Sequence, residues 1–373
     1  MHQRQQVASG PDLGNRGRPR IRPQDDEGAR RVTRGNQPHV LLGLDVGGTK
    51  TEVVAISLAD GRHCRHLLGG SNYQGMGIRR ASEVWREAVE KCLVSLSAKR
   101  EELAAAGLGV AGLDRPRDEA VIRPEFERLL GSVPFTLVND LFLVLRAGTP
   151  DGAGVAVISG TGCNAGGVAR NGKRFRVGGI GPDFGDLGSA TDIGVEALRK
   201  AFRAQDGREP ATALAEMIRT RLGLERLDDI VDFFIADGPE LPGSGRLDAG
   251  LLAPLVFEAA AAGDGQAGAI LEWAGRELGL SARAVARRLF EAQEPFPLVM
   301  GGSVLQHGRS SHLVDALLAD VRAEFPGVQP VVLRFRPVSG AVRYALDLVE
   351  GEDGTARSAR CALVDGVFAP LAE

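Results

Sequence analysis

The chain has 373 residues, 43% hydrophobic and 25% charged, with a formal net charge of −3, the composition of an ordinary globular protein with room for two cores. That balance gives no sign of a nucleic-acid-binding protein, and no apolar run reaches the ~18 residues that cross a bilayer. Cys64, Cys92, Cys163 and Cys361 are scattered, without a CxxC pair or metal-type spacing, so they read as reduced thiols of a cytoplasmic protein.

Residues 1–38 are rich in Arg, Gln, Gly and Pro and nearly lack large apolar side chains. Such a segment cannot offset its ordering entropy and is expected to be disordered. No apolar stretch follows its arginines, so it is not a secretory signal. A basic arm touching nucleic acid or acidic lipid is one reading. A dispensable extension, such as an overlong translated start, is the preferred one.

Val40–Val46 and Thr51–Leu58 read as strands around a Gly47-Gly48 turn, and Asp60-Gly61 signals a hairpin into a third strand, His63–Leu68. Val84, Val89, Leu93 and Leu96 give Ile78–Lys99 helical spacing, and LGVAGL (108–113) reads as a short buried strand. A helical stretch near Glu125–Leu130, a strand Phe135–Val138 and a helix from about Asp140 follow. The pattern then restarts: 154–179 is strand, Gly-Thr-Gly turn, strand, Asn171-Gly172 hairpin, strand. Thr191–Ala236 and Gly250–Gln293 read as helical. PFPLVMGGSV (295–304) is a buried strand ending in Gly-Gly-Ser, with a helix running on through Leu317. A last strand and a helix packed closely at Gly340 follow, and the tail after Glu350 reads as peripheral. The expected domains are 39–136 and 137–350, the last helix (340–350) returning to the first domain, with 351–373 as a tail.

In DVGGTK (45–50) a turn of small residues exposes successive backbone N–H groups, a concavity that binds anions. Gly47 and Gly48 would admit a phosphate and Thr49 would add a hydroxyl donor. Asp45 makes sense there if Mg²⁺ sits between it and the phosphate, since Mg²⁺ prefers oxygen ligands and keeps part of its water. An ordinary tight hairpin fits the same residues. SGTGCN (159–164) repeats the logic without a charge, and two such turns facing each other would clamp a polyphosphate. MGGSV (300–304) would let a flat ring lie against Gly301 and Gly302. There is no GxxxxGK[ST], and the first turn is not GxGxxG.

The order DxGGT, ND, SGTG, GGS and a Gly-containing helix resembles the actin-like ATPase superfamily. Within it, GGTKTEVV, GVAGLDRP, SGTGCN and GGIGPDFGDLGS look most like the N-acetylglucosamine kinase and BadF/BadG/BcrA/BcrD ATPase family, over about residues 40–350. The resemblance implies an α/β fold: two actin-like (ribonuclease H-like) domains, each a mixed five-stranded sheet with helices, and nucleotide in the cleft between them. It implies ATP and Mg²⁺ as cofactors, with Asp45 and Asp140 holding the metal. Gly47, Gly48, Thr49 and Lys50 would face phosphate with Gly160, Thr161 and Gly162, and Gly301 and Gly302 the adenosine. Gly263 would lie near the nucleotide or merely break a helix. Asp114 would be the base that orients a sugar hydroxyl, although an Asp capping the turn before Pro116 fits as well. Asp186, Asn72, Cys163, Asn164, Gly179, Ile180 and Gly181 would contact the sugar, unless the segment is a glycine-rich loop that Asp186 caps. Ile180 and Leu187 depart from the family, which has an aromatic residue and a Glu there. The sister repressor–kinase group carries a His/Cys zinc site, and this chain has neither a CxC nor a His between 67 and 306.

The implied function is an ATP-dependent kinase of an amino sugar, first N-acetylglucosamine to its 6-phosphate. Glucosamine, N-acetylmuramic acid and glucose remain open as substrates. So does an ATPase that activates a partner enzyme, although no paired cysteine motif supports it. A nucleotide-gated chaperone would need a large peptide-binding segment, and only about 23 residues follow Glu350. The expected partners are small molecules and, at most, a second copy of the chain as a homodimer, with no nucleic acid or membrane.

Overall fold

The computed structural model describes residues 38–234, 248–308, 310–349 and 354–368, so the expected disorder of the N-terminal extension falls almost wholly on residues outside that range. The first sheet contains β1 (Val40–Val46), β2 (Lys50–Ser57), β3 (His63–Gly69), β4 (Leu103–Val110) and β5 (Phe135–Val138) in the order β3-β2-β1-β4-β5. The first three strands are antiparallel neighbours, while β4 and β5 run parallel to β1. Between these strands lie α1 (Tyr73–Met76), α2 (Ile78–Leu96) and α3 (Pro116–Leu130). In the central strand β1 every residue but Asp45 is buried, as expected where helices cover both faces. The edge strand β3 instead alternates exposed and half-buried residues.

After α4 (Leu141–Gly148) the same plan recurs. A second sheet is built from β6 (Gly154–Ser159), β7 (Cys163–Val168), β8 (Arg174–Gly178), β9 (Pro297–Gly301) and β10 (Gln329–Val332), ordered β10-β9-β6-β7-β8. Helices α5 (Ala190–Gln205), α6 (Leu214–Leu222), α7 (Ala253–Ala261) and α8 (Gly265–Leu289) separate β8 from β9. Next come α9 (Ser303–His307) and α10 (Ser311–Arg322), then, beyond β10, α11 (Pro337–Val349) and α12 (Gly354–Phe368).

Four sequence readings need correction. β4 begins at Leu103, five residues before the LGVAGL segment, because the run Ala104–Ala106 lacks strong β-formers and is held in the sheet by burial against α11. α3 begins at Pro116, well before Glu125, and two local signals set that start. Proline suits the first turn of a helix, and Asp118 accepts hydrogen bonds from the backbone N–H of Asp114 and Arg115 (3.1 and 2.8 Å). The helix after β9 is interrupted, and α9 ends at Gly308. The tail is not peripheral: Val364 and Phe368 of α12 are buried with Leu41, Ile56 and Leu346.

α4 and α11 cross one another between the sheets. A Cβ at Gly340 would lie 2.1 Å from the Leu143 carbonyl oxygen, and one at Gly107 would lie 1.9 Å from that of Ala341. Only hydrogen fits either contact. Arg146 of α4 also pairs with Asp347 of α11 (2.9 Å). Through this crossing, α11 covers β1 and β4 while α4 packs on β6 and β9.

Phe368→Ala should therefore cost about 3 kcal/mol, the usual result of emptying a buried phenyl site. A urea midpoint equal to that of the parent chain would show that α12 is not part of the core.

Candidate active site

β1 and β2 meet in a turn closed by a hydrogen bond from Gly47 N to Lys50 O (2.9 Å), and Ser71 N fixes its back through Gly47 O (3.0 Å). Gly48, Thr49 and Lys50 are exposed. β6 and β7 make the corresponding turn, with Gly160 N donating to Gly162 O (2.9 Å). The start of α5 anchors it, since Ala190 N donates to Gly160 O (2.8 Å) and the Thr191 hydroxyl to Thr161 O (3.1 Å). Gly302 closes on this turn from below. Its φ is 86°, and a Cβ there would sit 2.2 Å from Ser159 O, so both conformation and space demand glycine.

The two turns line one cleft of about 590 Å³. Gly48 and Thr49 come from the first turn and Gly160, Thr161, Gly162, Cys163 and Asn164 from the second, with Asp140, Gly179, Gly181 and Asp186 completing the wall. Gly301 and Gly302 lie outside it. They seat α9, whose Val304 and His307 join Ala253, Pro254 and Phe257 around a second, mostly apolar cavity of about 360 Å³. Gly263 caps the far end of α7 and lines neither cavity.

Asp45 and Asp140 lie at the meeting of β1 and α4. Burial, then the nearby Asp140 and Glu52 carboxylates, push Asp45 up to about 8. Burial, then Asp114, pushes Asp140 up to about 6, although Asp140 also caps α4 through Leu141 N (3.1 Å). Among the described residues neither carboxylate has an ion-pair partner. Two desolvated oxygen donors that repel each other fit a hard divalent cation.

Asp114 is held from three directions. Its Oδ1 pairs with Arg176 Nη2 (3.0 Å) and accepts from Asn139 Nδ2 (3.1 Å), while Oδ2 accepts from Gln74 Nε2 (3.3 Å). Arg176 lies on β8, so this ion pair ties the loop after β4 to the second sheet. Its other terminal nitrogen, Nη1, is buried without a hydrogen-bond partner among the described residues, and so is Oδ1 of Asn164. Both flank Gly179, where a Cβ would lie 2.5 Å from Arg176 Nη1 and 3.2 Å from Asn164 Nδ2. The sequence reading missed Arg176, Asn139, Gln74 and Asp118. Only the charge inside strand RFRVG hinted at the first.

Several expected contact residues also hold the site together. Asp186 Oδ2 accepts from Ile180 N and Gly181 N (2.7 Å each), which folds the glycine loop around it. The Ile180 side chain is 57% exposed and is absent from the cleft lining. Asn72 Oδ1 caps α1 through Gln74 N (2.9 Å). Cys163 is buried, and desolvation, then the charges of Asp192 and Asp186, push its thiol up to about 12. It lines the wall as a neutral group.

Two five-stranded sheets of one plan, each with a turn that lines the same cleft, make an actin-like fold. The chain belongs to the BadF/BadG/BcrA/BcrD ATPase family, whose profile matches residues 42–345. It is 30% identical over 318 residues to the N-acetyl-D-glucosamine kinase of Dictyostelium discoideum, covering 83% of this chain and 98% of the relative. It is 29% identical over 303 residues to the N-acetylmuramic acid/N-acetylglucosamine kinase of Clostridium acetobutylicum, covering 81% and 96%. In fold it is similar to a candidate N-acetylglucosamine kinase from Chromobacterium violaceum, with a TM-score of 0.60 at 22% identity over 82% of this chain and 98% of that one. No helix among the described residues is long and apolar enough to cross a membrane.

Asp118 is buried beside Asp114, and its pairing with Arg115 holds its carboxyl well below the usual carboxylate range despite burial, with Tyr73 adding a further hydrogen bond. A depressed pKa means that its stabilisation is present above the ordinary carboxylate pKa and is lost as pH falls below it. Asp118→Asn should therefore lower the melting temperature at neutral pH and flatten its decline below about pH 4. Parallel pH curves for the two proteins would show that Asp118 does not carry this stability.

Proposed function

We propose that this chain is an ATP-dependent kinase of an amino sugar, transferring the γ-phosphoryl group to the 6-hydroxyl of N-acetylglucosamine. The observation that carries the reading is the pair of unsatisfied buried groups that flank Gly179, one of them on the arginine that holds Asp114. Arg176 Nη1 is a donor and Asn164 Oδ1 an acceptor, both without partners. Leaving such groups unpaired costs about 1–3 kcal/mol each, and a polyol or acetamido ligand would satisfy both. The two relatives whose names specify N-acetylglucosamine kinases support the choice of sugar.

In this mechanism Asp114 accepts the proton of the sugar hydroxyl as its oxygen attacks the γ-phosphorus. Arg176 and Asn139 fix one carboxylate oxygen, so that Oδ2 is the one that meets the hydroxyl. The backbone N–H groups of the Gly47–Thr49 and Gly160–Gly162 turns receive the phosphates, and the apolar cavity around Phe257 and Val304 takes the adenine. Asp45 and Asp140 would hold Mg²⁺, which neutralises charge on the phosphates. Asp186 keeps the glycine loop closed over the sugar. Withdrawal of Ile180 from the cleft leaves sugar recognition to hydrogen bonds, without a stacking ring.

Asp114→Asn should reduce turnover by about 10²–10⁴ while nucleotide still binds. ADP release should be stimulated by N-acetylglucosamine well above glucose, because a site of fixed donors and acceptors rejects a ligand lacking the group it expects. Turnover of Asp114→Asn within a few-fold of the parent would sink the assignment of the base. A panel of N-acetylglucosamine, N-acetylmuramic acid, glucosamine and glucose that fails to stimulate ADP release would sink the kinase.

A further inference from the structure

The fold brings together three soft ligands that the sequence keeps apart. Cys64 and His66 are two residues apart on β3 and therefore share a face of the sheet. α2 packs on that face, and its Cys92 is fully buried there. One sulfur from each cysteine and a ring nitrogen of His66 all lie within 4.8 Å of one another. Ser95, one helical turn beyond Cys92, sets its hydroxyl 2.9 Å from His66 Nε2.

We propose that Cys64, His66 and Cys92 form a zinc site that pins the edge strand β3 to α2. The donor chemistry selects the ion: two thiols and an imidazole suit zinc, whereas Mg²⁺ takes oxygen ligands. The spacing is close to that of a loaded site. A triangle with no side longer than 4.8 Å encloses a point within about 2.8 Å of every corner, roughly half an ångström more than a Zn–S bond of ~2.3 Å. Small side-chain rotations close that gap without moving the backbone. The Ser95 hydroxyl supplies the partner that orients a ligating imidazole. The Cys64 thiol already donates to the backbone carbonyl oxygen of Cys92 (3.6 Å), which holds the strand cysteine against the turn of α2 that carries its partner. Cys64 and His66 are only half-buried, which leaves an entry path.

The position also gives the ion a mechanical role. Among the described residues β3 has only β2 as a strand neighbour, and it leads directly to Ser71 and Asn72. Trp85 of α2 already holds that far end through its indole N–H to the Ser71 hydroxyl (3.0 Å). Zinc would fasten the middle of the same strand to the same helix. It would stiffen the wall behind the first phosphate turn without entering the cleft.

The test uses the full chain, reduced and stripped of metal, in excess Mg²⁺ so that hard carboxylate sites are occupied. One Zn²⁺ per chain should bind and raise the melting temperature, and Co²⁺ should produce a thiolate-to-metal charge-transfer band. Cys64→Ser and His66→Gln should each weaken Zn²⁺ by at least roughly tenfold, and Cys64→Ser should diminish the Co²⁺ band. These two residues lie on the half-exposed side, so their substitution remains informative even if Cys92→Ala fails to fold. Zn²⁺ affinity unchanged in both variants, or a Co²⁺ complex without a thiolate band, would overturn the proposal.

Discussion

The site depends on the crossing of α4 and α11. Hydrogen is the only side chain that fits where Gly340 of α11 meets Leu143 of α4, so the two helices approach as closely as backbone allows, and Gly107 of β4 admits the Ala341 carbonyl of α11 on the same terms. That approach fixes where α4 begins. Asp140 stands at that beginning, close enough to Asp45 on β1 for each carboxylate to feel the other's charge. A bulkier residue at the crossing would move the start of α4, and with it the spacing of the two carboxylates. Packing at a distance thereby sets the electrostatics of the cleft.

Asp114 shows a second dependence, between the sheets rather than the helices. Its loop follows β4, but the cation that holds it stands on β8 of the other sheet. An Arg–carboxylate contact that is 15% and 8% exposed at its two side chains is screened far less by water than a surface pair. Relative movement of the sheets would be felt directly at the carboxylate. The same guanidinium leaves Nη1 free, so one side chain both locates Asp114 and faces the region where a hydroxyl would sit.

The sequence revealed what depends on local chemistry. Glycine pairs between β-forming runs marked both turns that line the cleft, and the restart at Gly154 revealed the second sheet because the same turn signals recur in the same order. What escaped was set by contacts between distant segments. Leu103–Ala106 reads poorly as a strand because alanine has little β preference, and its burial under α11 decides the matter. α12 lacks a strong amphipathic signal, and its place in the core rests on Val364 and Phe368 meeting β1 and β2. Arg176 and Gln74 belong to no motif, and Asn139 enters the motif order only as the first letter of ND, without a role of its own. Their role appears only once three separate segments converge on Asp114. The cysteines look unrelated in the sequence because 28 residues separate Cys64 from Cys92, a distance that the pairing of a strand with a helix removes.

The acidic residues in and around the cleft sort themselves by their partners, and this sorting separates support from chemistry. Asp186 is satisfied by two backbone N–H groups, Asp192 by the Ser189 N–H and hydroxyl, and Asp118 by Arg115 and two backbone N–H groups. Each makes a loop or helix start rigid. Asp114 is partly satisfied, with one oxygen doubly held and the other in a single longer contact. Asp45 and Asp140 have no direct ion-pair partner among the described residues, and desolvation first, then neighbouring carboxylates, raises the pKa of each. Desolvating carboxylates side by side is costly, and the proposed function names a ligand that would offset that cost. A polyphosphate alone would worsen the repulsion. A polyphosphate carrying a divalent cation relieves it, so the least comfortable residues of the unliganded cleft are the ones its ligand would relieve.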